Sequence, residues 1–467
     1  MSRLSRYLMS LALAILALFS WHTYAQDGAN ANAEAPEPSV QMQHPAGPLG
    51  PPITITLTDA IARARKVDSP YLNVVGGAKN AHDDTLQSRN AMLPQASATS
   101  QFLGTTGNGK DAIGRFVTQD GVHVYRAWGV FRQDLSPNTY LATGYRRTKA
   151  AEALAKAKAE IARRGLTVTV TKNYYALVTA QRNLAATQQA LDQAQNFFKI
   201  TQDAEKAGQA AHADALRAQI QVEQEQQVFN ESNLAMDDAR LNLAVLLFPT
   251  LDENFTIVDD LDSPAPLPVF AEAEAMAMKD NPDLRVAMES AREADLDVSA
   301  AKGAFLPSFS IETDYGIEAN AFALRSVNAE EPKLGPLPNL GYYIQAGVTI
   351  PVWDWGTLRS KLRQSETNRE QARAELSQTQ RETLANLYAA YNEASVARQA
   401  VESSRRVAAD AAESLRLSEL RYQGGESTAL EVVDSQNVLT QARTTYDDAQ
   451  MRYRVALATL QTFTGNF

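Results

Sequence analysis

The sequence predicts a mixed, mainly helical chain: long antiparallel coiled-coil helices, four membrane-crossing β-strands, and one structural unit used twice. Three observations carry this expectation. Val432, Leu439, Tyr446, Tyr453 and Leu460 lie seven apart, each followed three residues later by Ser435, Ala442, Ala449, Ala456 and Phe463, an a/d heptad seam. The same spacing occurs earlier, where Gly208 is followed by Ala215, Val222, Phe229, Met236 and Leu243, with Gln219 matching Gln436. After Leu93-Pro94 and again after Leu306-Pro307, the hydrophobic period changes from helical to two.

Residues 1–25 read as a secretory signal peptide: Arg3 and Arg6, an apolar run from Tyr7 to Phe19, and a small-residue exit at Ala25. Residues 26–52 are a Pro-rich linker. The first repeat spans 53–247. Its opening helix, 58–91, is expected to be capped by Thr58-Asp59, and its apolar positions include Ile61, Leu72, Val75 and Leu86. Pro94 stops it.

Strands are expected at 94–104 and 122–134, around a Gly-rich loop. The second alternates poorly, because Arg126 and Arg132 fall on the face of Val124, Trp128 and Val130. A long helix, 138–206, opens at Ser136-Pro137 and returns through a turn at Gly208 to a helix over 210–247. A short acidic connector, 248–271, with Pro264, Pro266 and Pro268, leads to the second repeat, 272–463.

That repeat has a helix at 272–304, then a strand at 308–317 in which Phe309, Ile311, Thr313, Tyr315 and Ile317 alternate with polar residues. A second strand follows at 341–351. A helix over 356–422 opens at Asp354-Trp355, and a helix over 428–463 follows the Gly424-Gly425 turn, with Thr428-x-x-Glu431 as a capping box.

Composition removes several function classes. There is no cysteine, hence no disulfide, thiolate metal site or thiol nucleophile, and no lipidated cysteine. The net charge is −10 without a basic block, which gives no reason to expect nucleic acid. His22, His44, His82, His123 and His212 fall in different elements at no metal-ligand spacing, so no metal, cofactor or enzyme activity is expected.

Four amphipathic strands of about ten residues have the length to cross an outer-membrane hydrocarbon layer as a tilted barrel. Four cannot close, and open edges are not viable in lipid, so the barrel must be shared between chains. Eight strands would fill their own interior and twelve could leave a channel. Trp128, Tyr342, Tyr343, Trp353 and Trp355 suit an interfacial aromatic belt; ordinary strand-end packing is the competing account.

From about Ile53 onward the chain resembles the TolC-like outer-membrane efflux proteins, the outer membrane factors. The residues that carry the resemblance are the paired Leu-Pro stops, the segment Gly347-Val348-Thr349-Ile350-Pro351-Val352-Trp353-Asp354-Trp355-Gly356, and the hairpin from Tyr422 to Glu431. The resemblance implies a homotrimer with a twelve-stranded barrel in outer-membrane lipid and a helical tunnel in the periplasm. A periplasmic adaptor and an inner-membrane transporter would be its partners in efflux or type I secretion, with the chain itself a passive duct.

Carried over, the family's gate and adaptor contacts fall on Gly208, His212, Asp214, Gly424, Gly425, Glu426, Glu431 and Asp434. The three acids of the second tip would form rings favouring cations, or Glu431 would complete the helix cap with the others favouring the positive helix terminus. Asp214 matches Glu431 but Arg217 matches Asp434, so the two hairpins are electrically unlike. A soluble periplasmic coiled-coil scaffold is the rival reading: it explains the heptads but not the paired strands.

Overall fold

In a computed structural model the residues described are 49–104, 123–208, 211–251, 253–319, 322–327 and 332–465. The expected signal peptide, most of the linker and most of the first inter-strand loop lie outside them. Beyond residue 50 they belong to one compact unit, Pro51–Phe467.

The end of the expected linker is a strand. β1 (Leu49–Ile55) alternates Ile53 and Ile55 with threonines, and it pairs with β4 (Glu253–Ile257) inside the connector. Ile55 and Phe255 are fully buried there, which is why a short acidic stretch can hold a strand.

The expected helix 58–91 is two helices, α1 (Leu57–Val67) and α2 (Ser69–Asn90). The cap also lies two residues earlier than expected. Thr56 accepts the Asp59 N–H, and the Asp59 carboxylate reaches back to the Thr56 N–H, a reciprocal box. Pro70 cannot continue α1, so Asp68 turns extended and caps α2 by accepting from the Tyr71 N–H at 2.9 Å.

Asn281 does the same before Pro282, accepting from Leu284, and divides the expected helix 272–304 into α6 (Phe270–Asp280) and α7 (Pro282–Gly303).

Four long strands follow the two short-helix pairs: β2 (Gln95–Gly104), β3 (His123–Leu135), β5 (Ser308–Ala319) and β8 (Leu340–Thr349). A small hairpin, β6 (Arg325–Val327) with β7 (Pro336–Pro338), occupies the proline-bearing loop. Ser136 caps a single turn, α3 (Pro137–Tyr140), and Ala142 at φ 54 separates it from the long helix. The helix expected from 138 therefore starts later, as α4 (Thr143–Lys206).

α5 (His212–Leu247), α8 (Thr357–Gln423) and α9 (Ala429–Thr464) complete the chain. The 64 residues of α4 extend roughly 96 Å at about 1.5 Å per residue. Along α9 the heptad positions Val432, Leu439, Ala442, Tyr453, Ala456 and Leu460 are buried; on α8 Leu387, Ala394 and Leu415 are buried.

A denser node grips α4 at mid-length. Tyr174 and Tyr175 sit in a core with Ile55, Leu177, Leu243, Leu247, Phe255 and Leu261. The Tyr174 hydroxyl donates to the Val258 carbonyl at 2.7 Å and lies 3.1 Å from the Val258 N–H, stapling the connector to the helix. Arg182 holds the connector further along, pairing with Asp259 (2.5 Å) and Asp262 (2.7 Å) and reaching Asp447 on α9 (3.2 Å).

Arg164, buried, donates to the carbonyls of Thr462 and Asp280, near the C-terminal ends of α9 and α6, and its Nε to Glu160 at 2.7 Å. Hydrogen bonds from Arg163, together with those from Arg164, outweigh burial and hold the Glu160 carboxyl at about 2.

A depressed carboxyl stabilises the fold above the ordinary glutamate value of about 4.3 and loses that contribution as pH falls toward the folded value. Melting temperature should therefore drop on acidification from about pH 4 to about 2. Glu160→Gln, less stable at neutral pH, should lose less over the same window; equal acid slopes in thermal melts would show that the cluster contributes nothing.

Candidate functional site

Two regions gather the residues singled out by the sequence: the long-strand sheet and the helix-hairpin tips. The sheet runs β2-β3-β5-β8, antiparallel throughout, with β2 and β8 outermost. Its register sorts the side chains. One face carries Phe102, Tyr125, Ala127, Phe131, Phe309, Ile311, Tyr315, Tyr342, Ile344 and Val348. Most of these large apolar side chains are exposed, more than a water-facing surface ordinarily carries.

The opposite face carries Gln101, Arg126, Arg132, Glu312, Asp314, Glu318 and Gln345. Arg126 bridges strands, donating to Glu318 at 2.9 Å and Gln101 at 3.2 Å, while Arg132 pairs with Asp134 at 3.0 Å and meets Glu312 at 3.5 Å. Between these rungs lies Asp314, 5% exposed, its Oδ1 without a hydrogen-bond partner among the described residues.

This register corrects two expectations. The poor alternation of β3 came from assigning Val124, Trp128 and Val130 to the greasy face. They stand on the charged face, and the apolar row is Tyr125, Ala127, Gly129 and Phe131. Trp128 is thus no belt residue on the apolar face. It lies mid-strand beneath Arg126, whose guanidinium sits 5.3 Å from its ring centroid.

Tyr343 likewise shares the polar face, opposite Asp314, and donates to Gln345 at 3.1 Å. Tyr342, 77% exposed, is on the apolar face near one end of β8. Trp353 and Trp355, stacked edge-on at 5.5 Å, follow the other end. Trp355 is 88% exposed and takes φ 57 in the turn into α8, where the Asp354 carboxylate accepts the Gly356 and Leu358 N–H groups.

Gly316 was not singled out by the sequence. It faces Trp128 across β3, and a Cβ there would collide with the Ala127 carbonyl oxygen and stand 2.7 Å from the Trp128 Cα. Strand Gly marks close backbone approach, the one signal that could have found it.

At the first tip α4 ends before Gly208 (φ 73), and His212 Nδ1 lies 2.7 Å from Glu205 while Asp214 meets Arg217 at 3.7 Å. At the second, Gly425 (φ 74) makes the turn. Thr428 accepts the Glu431 N–H, but the Glu431 carboxylate does not complete the expected box: it accepts from Arg421 at 2.7 Å and Ser427 at 2.6 Å.

Arg421 thus clasps the turn from the far helix, a partner ten residues away that helical periodicity does not reveal. Glu426 and Asp434 are exposed and join no ion pair among the described residues. Among those residues no group of three or more His, Asp or Glu could hold a metal, and no helix is long and apolar enough to cross a membrane.

Residues 140–247 and 275–466 match the outer membrane efflux protein family. Outer membrane protein OprJ of Pseudomonas aeruginosa is 25% identical over 307 residues, covering 65% of this chain and 61% of that protein. The pyoverdine export outer membrane protein OpmQ of Pseudomonas putida is 25% identical over 62% of this chain and 58% of its own length. The matches thus span about six tenths of these relatives. The open-state MtrE outer membrane channel of Neisseria gonorrhoeae superposes with TM-score 0.71 at 18% identity, over 88% of each chain.

Substitutions at the sheet and at the second tip test this geometry. Gly316→Val should destabilise the sheet by about 1–3 kcal/mol through overpacking, seen as earlier loss of strand signal in denaturant; an unchanged midpoint would mean that β3 and β5 yield freely. Arg421→Ala and Glu431→Ala should each speed amide exchange at residues 424–428 by about two- to fivefold, the scale of an exposed ion pair. Asp434→Ala should not, and equal rates in all three variants would dismiss the clasp.

Proposed function

The chain belongs to the outer membrane efflux protein family, and from that premise we propose that it is the passive outer-membrane duct of a tripartite efflux assembly. It works as a homotrimer, resident in the cell outer membrane of a Gram-negative-type cell, with a periplasmic adaptor and an inner-membrane transporter as partners. The relative named for pyoverdine export favours small-molecule cargo over secreted protein. Energy comes from the transporter.

One observation carries the reading: the four-stranded sheet exposes an apolar face and leaves the outer edges of β2 and β8 without a strand partner among the described residues. In lipid every backbone N–H and C=O needs an internal partner, so β8 of one copy pairs with β2 of the next. Three copies supply twelve strands, enough to leave an aqueous channel, whereas two would give a filled barrel. The charged face then lines the channel and the apolar face meets lipid, with Tyr342 and the Trp353/Trp355 pair toward opposite interfaces.

The duplicated order of short helices, strand pair and long helical hairpin gives each copy two hairpins, so a trimer carries six around its tunnel. The tips form the periplasmic mouth. Because Arg421 neutralises Glu431, cation preference at that mouth rests on Glu426 and Asp434 instead.

The native chain has no cysteine, so introduced pairs report cleanly. With Ser97→Cys on β2 and Gln345→Cys on β8, a bis-maleimide should link the detergent-extracted protein into dimers and trimers and nothing larger, and negative-stain images should show threefold particles. Linkage ending at dimers, or running on beyond trimers, would sink the shared twelve-stranded barrel.

A further inference from the structure

The mid-length node contains a cavity of about 520 Å³ where faces of three helices converge. α1 contributes Leu57, Ile61 and Arg65; α4 contributes Arg163 and Tyr175; α9 contributes Arg454 and Leu457. Leu57, Ile61, Ala62, Ala265, Leu457 and Ala458 form the apolar part of the wall; its polar part includes three arginines, and no carboxylate lines it.

Two of those arginines have partners outside the cavity: Arg163 is bound to Glu160, and Arg454 donates to the Asp260 carbonyl and meets the Asp260 carboxylate at 3.9 Å, its guanidinium 5.0 Å from the centroid of the Tyr175 ring. Arg65 joins no ion pair among the described residues, and its buried Nε has no hydrogen-bond partner. The Arg454 Nε and the Tyr175 hydroxyl are also buried without a hydrogen bond; Tyr175 is 1% exposed.

Buried donors left unmade cost free energy, and here they gather round one cavity.

We propose that this cavity binds a small organic carboxylate with a compact apolar body. The carboxylate takes the Arg65 guanidinium and the hydroxyl of Tyr175, and the body lies against Leu57, Ile61 and Leu457. The volume suits such a ligand. Arginine's planar fork matches a carboxylate, and the apolar wall disfavours a fully hydrated inorganic anion. Nothing in the proposal depends on the sheet closing into a barrel, because the cavity lies wholly within one chain's node.

The test is calorimetric titration of the intact, detergent-extracted protein with phenylacetate, its neutral analogue phenylacetamide, and inorganic phosphate. Phenylacetate should bind saturably, with the amide and phosphate at least about tenfold weaker, the loss expected for a charge-assisted hydrogen bond.

Arg65→Gln should weaken phenylacetate by the same factor. Ala62→Trp, placed at an exposed position on the cavity rim, should block it without altering charge. Equal binding across wild type and both variants, or no saturation, overturns the proposal. So does a wild type that binds nothing while Arg65→Gln loosens the oligomer, since that outcome gives the cavity to a neighbouring copy's carboxylate. Negative-stain particle shape, recorded on the same samples, separates any of these results from failure of the duct itself.

Discussion

Backbone hydrogen bonding at the sheet edges governs the whole arrangement. A four-stranded antiparallel sheet satisfies its inner strands and, among the described residues, leaves two edge rows of donors and acceptors that water could solvate but hydrocarbon cannot. The same sheet exposes an apolar face, which in the proposed duct meets hydrocarbon. On that reading the two conditions are met together only when copies share one sheet. Each strand pair delivers the chain into a helix of more than sixty residues, so the sheet fixes where those helices start.

Helices this long need fastening between their ends, because heptad packing of small residues lets neighbours slide. The node supplies it. Arg164 ties the ends of α6 and α9 to α4 through carbonyls, and Arg182 draws the acidic connector onto α4 and α9 together. Burial raises the Asp447 carboxyl even beside Arg182, a sign of how far that contact is withdrawn from water. Fixed guanidinium charges suit such a role, since they hold geometry without titrating.

Much of this was legible in the sequence, and the failures have physical causes. Heptads name many buried residues, Ala215, Leu243, Val432, Leu439 and Leu460 among them, because a seam is a local pattern, while Val222, Phe229 and Tyr446 are only half-buried. Pro70 and Pro282 mark the breaks at Asp68 and Asn281, where the expected single helices divide because proline cannot continue the preceding helix. β3 misled because hydrophobicity stands in for orientation only when the inner face lacks aromatics, and Trp128 finds a cation there. β4, the Arg182 cluster and the Arg421 clasp depend on partners brought together by folding, and no spacing in the chain announces them.

Gly316 sets a boundary on divergence. Every other amino acid adds a Cβ that the Ala127 backbone must move to admit, so each replacement there starts at a cost, whereas Gly341, on the same face, has nothing within 4 Å of its own missing Cβ. Descendants of this protein are free to redecorate the polar face around Gly341, altering its charge and width, as long as one backbone crossing stays bare. Homologues with different cargo should therefore vary most across that face and least at the point where two strands touch.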